Sequence, residues 1–286
     1  MLTLLFDGIA YGMLLFVLAV GLAVTLGLMN FINLAHGAFA MAGGYVTVLL
    51  MNRLGVPFLA TLPIAFVLTA IAGAVFERTL YRPMYAKPHL DQVLFSIGLV
   101  FMAVAGVDYL LGSQQQMISV PSYLQGRFDL SWIGIGKYRL FIIVICALLT
   151  LLLQWVLART RFGSRLRAAV DDPRVAAGLG INVNQVFLLT FAVGSGLAGL
   201  GGALGAEVLG LDPTFPLKFM IYFLIVVSVG GTTTITGPLL AALLLGIADV
   251  MGKYYVPKLG AFIVYTLMIV ILTLRPQGLF GRSNVR

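Results

Sequence analysis

Residues 159–182, RTRFGSRLRAAVDDPRVAAGLGIN, form the longest hydrophilic run in an otherwise apolar chain. Arg159, Arg161, Arg165, Arg167 and Arg174 crowd into it. Two short helices can be read inside this run. Ser164 is placed to cap the first, over 165–170, because a serine oxygen accepts from the free N–H groups of a first turn. Asp172 is placed to cap the second, with Pro173 at the first helical position, where a missing N–H loses no bond. Gly178 or Gly180 can end it, since glycine enters the left-handed conformation that closes a helix. Leu166, Ala169, Val170 and Ala177 give the two helices a modest apolar side. Arginines alone would suffice for a loop that only fixes orientation. Two capped helices exceed that task and suit a docking element for a partner protein, with Leu166, Ala169 and Val170 as its apolar contacts.

The surroundings of this run set the class. The 286-residue chain is 60% hydrophobic and only 10% charged, with a mean hydropathy of +1.05. That leaves too little polar surface for a soluble domain of this length. The chain reads as an all-α, polytopic integral membrane protein, a single domain over 1–286 in contact with lipid. A net charge of +8 could suit nucleic acid, but basic residues gathered on one membrane face explain it, and no nucleic-acid partner is expected. Cys146 is the one cysteine, set in an apolar run, so neither an intrachain disulfide nor a metal site is expected. No cleavable signal is evident: the first basic residue is Arg53, and the first apolar run is too long for a signal core.

About 8–9 transmembrane or partly spanning helices can be counted. They run over about 2–29, 34–51, 58–76, 90–112, 139–157, 185–205, 217–229, 239–252 and 259–274. The segment 217–229 is too short to cross about 30 Å of hydrocarbon alone. Two junctions look like glycine-broken helices. The first carries Asn30, Asn33, His36 and Gly37; the second is Gly230-Gly-Thr232-Thr233-Thr234-Ile-Thr-Gly237-Pro238. Backbone freed at such breaks must face protein or a cavity. Ser96 adds a small polar group to the fourth segment. Residues 77–89 read as a basic loop. Within 113–138, residues 128–132 alternate like a strand, and Ile133-Gly134 can turn it into a second strand over 135–140.

The basic loops fix an orientation. Residues 77–89, 159–184 and the tail from Arg275 are all basic, and an even number of crossings separates each pair. All three are expected on the cytoplasmic side and 113–138 outside. A faint repeat accompanies this pattern. His36-Gly37 and Thr236-Gly237-Pro238 each open a segment, and Arg82-Pro83 and Arg275-Pro276 each close one. Paired broken segments in two halves point to a transport pathway. Asn30, Asn33, His36, Gly37, Ser96, Thr232, Thr233, Thr234 and Gly237 are its candidate lining.

Several motifs are missing or misplaced. No P-loop for ATP occurs in the sequence. Gly194-Ser-Gly196-Leu-Ala-Gly199 matches a dinucleotide fingerprint by letter, but it lies inside an apolar helix, where glycines serve packing. His36 has no flanking carboxylate, so no metal site and no cofactor are read from it. The segment middles are free of charge, with Asp7, Asp108 and Asp249 near segment ends. Energy for transport would therefore come from outside the chain. A stand-alone carrier or channel for a small neutral solute such as urea or an amide remains the alternative, and a membrane scaffold a third reading.

Four motifs in order carry a resemblance: Asn33-Leu-Ala-His36-Gly37, Leu179-Gly-Ile-Asn182, Gly230-Gly231 through Gly237, and Arg275-Pro-Gln-Gly-Leu-Phe-Gly281. With them the chain resembles the permease subunit of branched-chain amino acid ABC importers, over nearly its whole length. The resemblance implies a heterodimer with a second permease, two cytoplasmic ATPase subunits and an extracytoplasmic solute-binding protein in the cytoplasmic (inner) membrane of a prokaryote. It implies no enzymatic activity in this chain. It also implies a coupling helix within 165–178, carried by Arg165, Leu166, Ala169, Val170, Asp172 and Pro173. The run Gly-Thr-Thr-Thr-Ile-Thr-Gly stands where such permeases often have a further glycine and a serine. The same family handles urea, short amides and other amino acids, so this difference bears on the solute.

The orientation can be tested with single cysteines at Ser164 and Ser283 in a Cys146-free background. Both are expected to resist a membrane-impermeant thiol reagent in intact cells and to react after lysis. Labelling of either from outside would overturn the topology.

Overall fold

In a membrane, helices gain little from hydrophobic exclusion between them and pack by close van der Waals approach, which small residues permit. The fold is built on that rule. The computed structural model describes residues 1–29, 31–130, 133–231 and 234–279. Its centre is α8 (Val183–Leu209). A Cβ at Gly202 would overlap the Ala40 carbonyl of α2 (His36–Leu54), and one at Gly199 would overlap the Thr69 hydroxyl of α3 (Phe58–Phe76). Gly21 of α1 (Leu2–Met29) meets the Gly194 carbonyl in the same way. The fingerprint-like Gly194-Ser-Gly196-Leu-Ala-Gly199 is thus a packing face against three helices. α10 (Thr236–Tyr255) closes on α1 through Gly8, Gly12 and Gly246.

Around this centre lie α4 (His89–Leu111), α5 (Lys137–Arg159), α9 (Phe215–Gly230) and α11 (Gly260–Leu274). Six helices are long and apolar enough to cross a bilayer: α1, α3 with its extension, α4, α5, α8 and α10. With α2 and the shorter α9 and α11, the architecture is the expected all-α polytopic one. α4 and α5 are mostly exposed apolar surface, as lipid-facing helices are, whereas α1 and α8 are largely buried.

Contacts sort the connections into two ends. Tyr85 lies 6.1 Å from Phe187, ring to ring, which puts the 77–89 stretch beside the chain that follows the arginine run. At the same end Leu279 N–H donates to the Val229 carbonyl at 2.7 Å. The three basic stretches therefore share one end of the bundle. At the other end Asp7 pairs with Arg139, Asp212 with Lys218 and Asp249 with Lys253. Among the described residues no ion pair joins the bases of the arginine end.

Four local expectations are corrected. Residues 77–84 are not a loop: α3 runs on through a π-helical turn, Glu77–Tyr81, and a 3-10 turn, Arg82–Met84, because the buried Tyr81 and Glu77 need a helical frame to turn inward. The hairpin exists, but β1 (Arg127–Leu130) pairs antiparallel with β2 (Ile133–Gly136). Ile133 and Gly134 therefore lie in a strand, not a turn. Thr160, not Ser164, caps the first helix of the arginine run, accepting from Gly163 N–H at 3.4 Å, so α6 spans Arg161–Asp171. α8 continues to Leu209, beyond the expected Gly205.

Gly202→Leu is expected to force α2 from α8 and destabilise the fold by about 1–3 kcal/mol. Gly98→Leu on α4, where a Cβ meets open space, is expected to stay within about 0.5 kcal/mol of the parent. Thermal unfolding of the detergent-solubilised variants measures both.

Candidate functional site

α1 serves as a depth gauge for both broken segments. Gly8 faces Ile247 and Gly12 faces Ala242 on α10. Further along, His36 Nε2 hydrogen-bonds the Leu18 carbonyl at 2.9 Å. The chain leaves α1 at Met29 and turns back, so α2 begins at the level of Leu18, about 16 Å inside the end of α1 at 1.5 Å per residue. Residues 31–35 thus re-enter the bundle without helical bonds. Such backbone survives at membrane depth only where protein satisfies it. Here α4 does so: Gln92 Oε1 accepts from Ile32 N–H at 3.3 Å, and Ser96 Oγ reaches the Ile32 carbonyl at 3.5 Å. Tyr81 OH donates to Asn33 Oδ1 at 3.1 Å, and the Phe31 ring meets Tyr81 and Tyr85 edge-on. Asn33 and His36 are buried, and the Asn33 Nδ2 has no partner among the described residues. The His36 ring packs edge-on to Phe223 of α9, and Gly37 lies against Pro216.

The second break follows α9. Gly231 takes φ +81°, a left-handed conformation that glycine adopts without steric penalty. Gly237 packs on the Gly230 carbonyl, and Thr234 Oγ1 accepts from Gly237 N–H at 3.4 Å in the first turn of α10. The tail seals the end of α9, because Gly278 packs on the Val229 and Ser228 carbonyls and Leu279 bonds the former. That contact accounts for the Arg275–Gly278 motif. Asn30, Thr232 and Thr233 lie outside the described residues.

The arginine run is a folded lever. Asp172 Oδ1 accepts from Arg174 N–H at 2.9 Å and Val175 N–H at 3.0 Å, capping α7 (Pro173–Gly178) as read from sequence. Gly180, at φ +83°, ends it. Leu166 and Ala169 turn inward, packing with Val186, Leu157, Phe162 and Val170. The exposed side of this segment carries Arg161, Arg165 and Arg174 together with Val175 (58% exposed) and Leu179 (77% exposed). Val175 was not singled out in the sequence and Leu179 only as part of the Leu179–Asn182 motif; their i,i+4 spacing was the available signal.

A cavity of about 480 Å³ joins this lever to the second break. Ala23 and Val24 of α1, Gln154 and Leu157 of α5, Gly163, Leu166 and Arg167 of α6, and Thr234 to Thr236 line it. The first break, held by α4, and the second break, beside α6, flank the same half of α1. Asp249, near the end of α10, is buried, pairs with Lys253 at 2.6 Å and accepts from the Tyr222 hydroxyl at 3.3 Å. Outside the helices, burial would raise the Asp212 carboxyl, but hydrogen bonds from Lys218 and Thr214 outweigh it and hold the group below its ordinary value.

A helical bundle with six helices long and apolar enough to cross a bilayer, re-entrant backbone at residues 31–35 and a capped basic segment at one end is built as a polytopic membrane protein. Residues 4–272 match the family described as branched-chain amino acid transport system / permease component, and the chain belongs to that family. It is 27% identical to the high-affinity branched-chain amino acid transport system permease protein BraD of Pseudomonas aeruginosa, over 98% of this chain and 96% of that one. It is 26% identical to the corresponding LivH of Escherichia coli, with the same coverage. It is also 25% identical to the LivM permease of that bacterium, over 95% of this chain and 69% of LivM. No solved structure matches the chain.

Tyr81→Phe is expected to leave Asn33 Oδ1 buried without its donor and to destabilise the chain by about 1–3 kcal/mol. Asn52→Ala, which loses only an exposed 3.5 Å contact, is expected to be neutral. Thermal unfolding again reads both.

Proposed function

We propose that this chain is one permease subunit of an ATP-driven importer that carries branched-chain amino acids across the cytoplasmic membrane of a prokaryote. The whole-chain match to the permease family carries this reading. BraD and LivH, named for branched-chain amino acid transport, supply the solute class. A second permease is the natural partner, since LivH and LivM are both permeases of one bacterium and both similar to this chain. Two ATPase subunits and an extracytoplasmic binding protein complete the assembly. The concentration of arginines in this run supports a cytoplasmic arginine end, with 113–138 outside. Asp249, buried in α10, is already paired with Lys253, and is therefore not a free carboxylate of the kind used for proton coupling.

In this reading the solute passes between the two breaks. Asn33, His36, Gly37 and Ser96 frame one side, and Thr234 and Gly237, with Asn30, Thr232 and Thr233, complete the lining. Coupling runs from the ATPase to α7 and α6, then across the shared cavity to Thr234–Thr236. Asp172 and Pro173 set the start of α7. Leu166, Ala169 and Val170 tie the lever to α8, and Arg165, Val175 and Leu179 meet the ATPase. A movement of α6 that changes this cavity changes the packing of the break directly.

Val175→Asp and Leu179→Asp are expected to leave the permease folded, to reduce ATPase recovery in pull-down at least tenfold, and to abolish ATP-driven leucine uptake in vesicles. An unpaired carboxylate in an interface costs several kcal/mol. Ala169→Asp is expected instead to destabilise the permease itself, because the side chain would enter the cluster with Leu166 and Val186. Full assembly and uptake in both α7 variants would reduce this run to an orienting charge cluster.

A further inference from the structure

α10 and α11 form a wedge. At the end opposite the arginine run they touch, because Gly252 meets the Ile263 side chain and Gly260 meets the backbone of Lys253. At the arginine end the chain leaving α11 turns to α9 instead. There Gly278 packs on the Ser228 and Val229 carbonyls, and Leu279 N–H donates to the latter at 2.7 Å. The two helices thus part around one cavity of about 800 Å³. Leu240, Leu244 and Ile247 of α10, Leu267 of α11, and Arg275 and Leu279 of the tail all line it. The α10 residues recur at helical spacing, so one face of that helix forms the wall.

Two observations say what fills the wedge. The first is its apolar wall, open to the outside through the exposed Leu240 and Leu244. From Leu240 to Ala248 that wall runs about 12 Å at 1.5 Å per residue, most of the roughly 15 Å depth of one hydrocarbon leaflet. In a bilayer an acyl chain fills such a gap, since an unfilled one forfeits dispersion contact on both walls. The second is charge. Arg275 is the charged side chain lining the wedge, and no carboxylate lines it with Arg275. Its backbone is fixed, with its N–H donating to the Ile271 carbonyl at 2.7 Å and its carbonyl accepting from Gly278 N–H at 2.9 Å. Its guanidinium donates to the Leu279 carbonyl at 3.4 Å, and among the described residues it forms no ion pair. Most of its five N–H donors therefore stay available to an anion. Arginine binds phosphate oxygens through parallel N–H bonds, and basic pockets between membrane helices on the cytoplasmic side take anionic headgroups. A second permease seated here would cover the guanidinium and would have to supply a buried acid for it.

We infer that the wedge is a binding site for one anionic phospholipid. The phosphate sits on Arg275, and one acyl chain lies along Leu240, Leu244 and Ile247 against Leu267. The lipid bridges α10 to the tail, and the tail covers the end of α9 just before the second break. The site is thereby a structural clamp on that break, set by the charge of the surrounding bilayer. It stands whichever solute the permease carries.

The test is native mass spectrometry of the assembled transporter in detergent, titrated with phosphatidylglycerol or with phosphatidylcholine of the same acyl chains. The parent is expected to retain one more phosphatidylglycerol than Arg275→Gln, held about tenfold tighter than phosphatidylcholine, as hydrogen bonds between charged groups would give. Leu244→Trp, which fills the wedge from an exposed position, is expected to lose that lipid while keeping the parent melting temperature in detergent alone. Phosphatidylglycerol is expected to raise the melting temperature of the parent more than that of Arg275→Gln or Leu244→Trp, because a ligand of the folded state stabilises it. Excess inorganic phosphate is expected to leave the lipid bound. Equal retention of phosphatidylglycerol by the parent and both variants would overturn the inference, and so would its release by inorganic phosphate. Crosslinking of Leu244→Cys to the second permease, in a Cys146-free background, would overturn it as well and make the wedge a subunit contact.

Discussion

The close approach of backbones along α8 is the constraint on which the rest depends. Gly194, Gly199 and Gly202 let α1, α3 and α2 come within contact of one helix. In lipid no hydrophobic drive would hold these helices if side chains kept them apart. With α1, α2 and α3 fixed to α8, the outer helices α4 and α5 need few contacts and can face lipid. The same rule repeats between α1 and α10 through Gly8, Gly12 and Gly246. Dispersion forces act over short range, so the small residues decide which helices are neighbours and the large ones only fill what remains.

Two stretches of non-helical backbone lie inside this framework, and each is held differently. Residues 31–35 are buried and bonded from α3 and α4, by Tyr81, Gln92 and Ser96. At the second break Thr234 bonds Gly237 N–H, and the returning tail covers the end of α9 through Gly278 and Leu279. A cavity adjoins the second and joins it to α6. The cavity thus places the second break next to the capped basic segment.

Much of the fold was legible in the sequence, because bilayer thickness turns apolar length directly into spans. α1 and α3 begin and end where apolar run and loop residues place them, and Asp172-Pro173 marked the start of α7 through a capping bond that needs only neighbours in sequence. Local chemistry misled at Ser164, because Thr160 stands one turn earlier and the helix had already begun. It also misled at 77–84, where charges read as loop while Tyr81 and Glu77 were being drawn inward by a helical continuation.

By itself the sequence determined an all-α membrane protein, its glycine-broken segments, its basic face and its capped arginine run. These follow from composition, spacing and bonds between near neighbours. Only the tertiary structure decided which way α6 presents its faces. Leu166 and Ala169 form an apolar side whose periodicity is the same whether it covers α8 or a partner, and packing against Val186 chose α8. It also decided that Tyr81 and Gln92 hold the first break, because hydrogen bonds across 48 and 60 residues exist only once the helices are brought together.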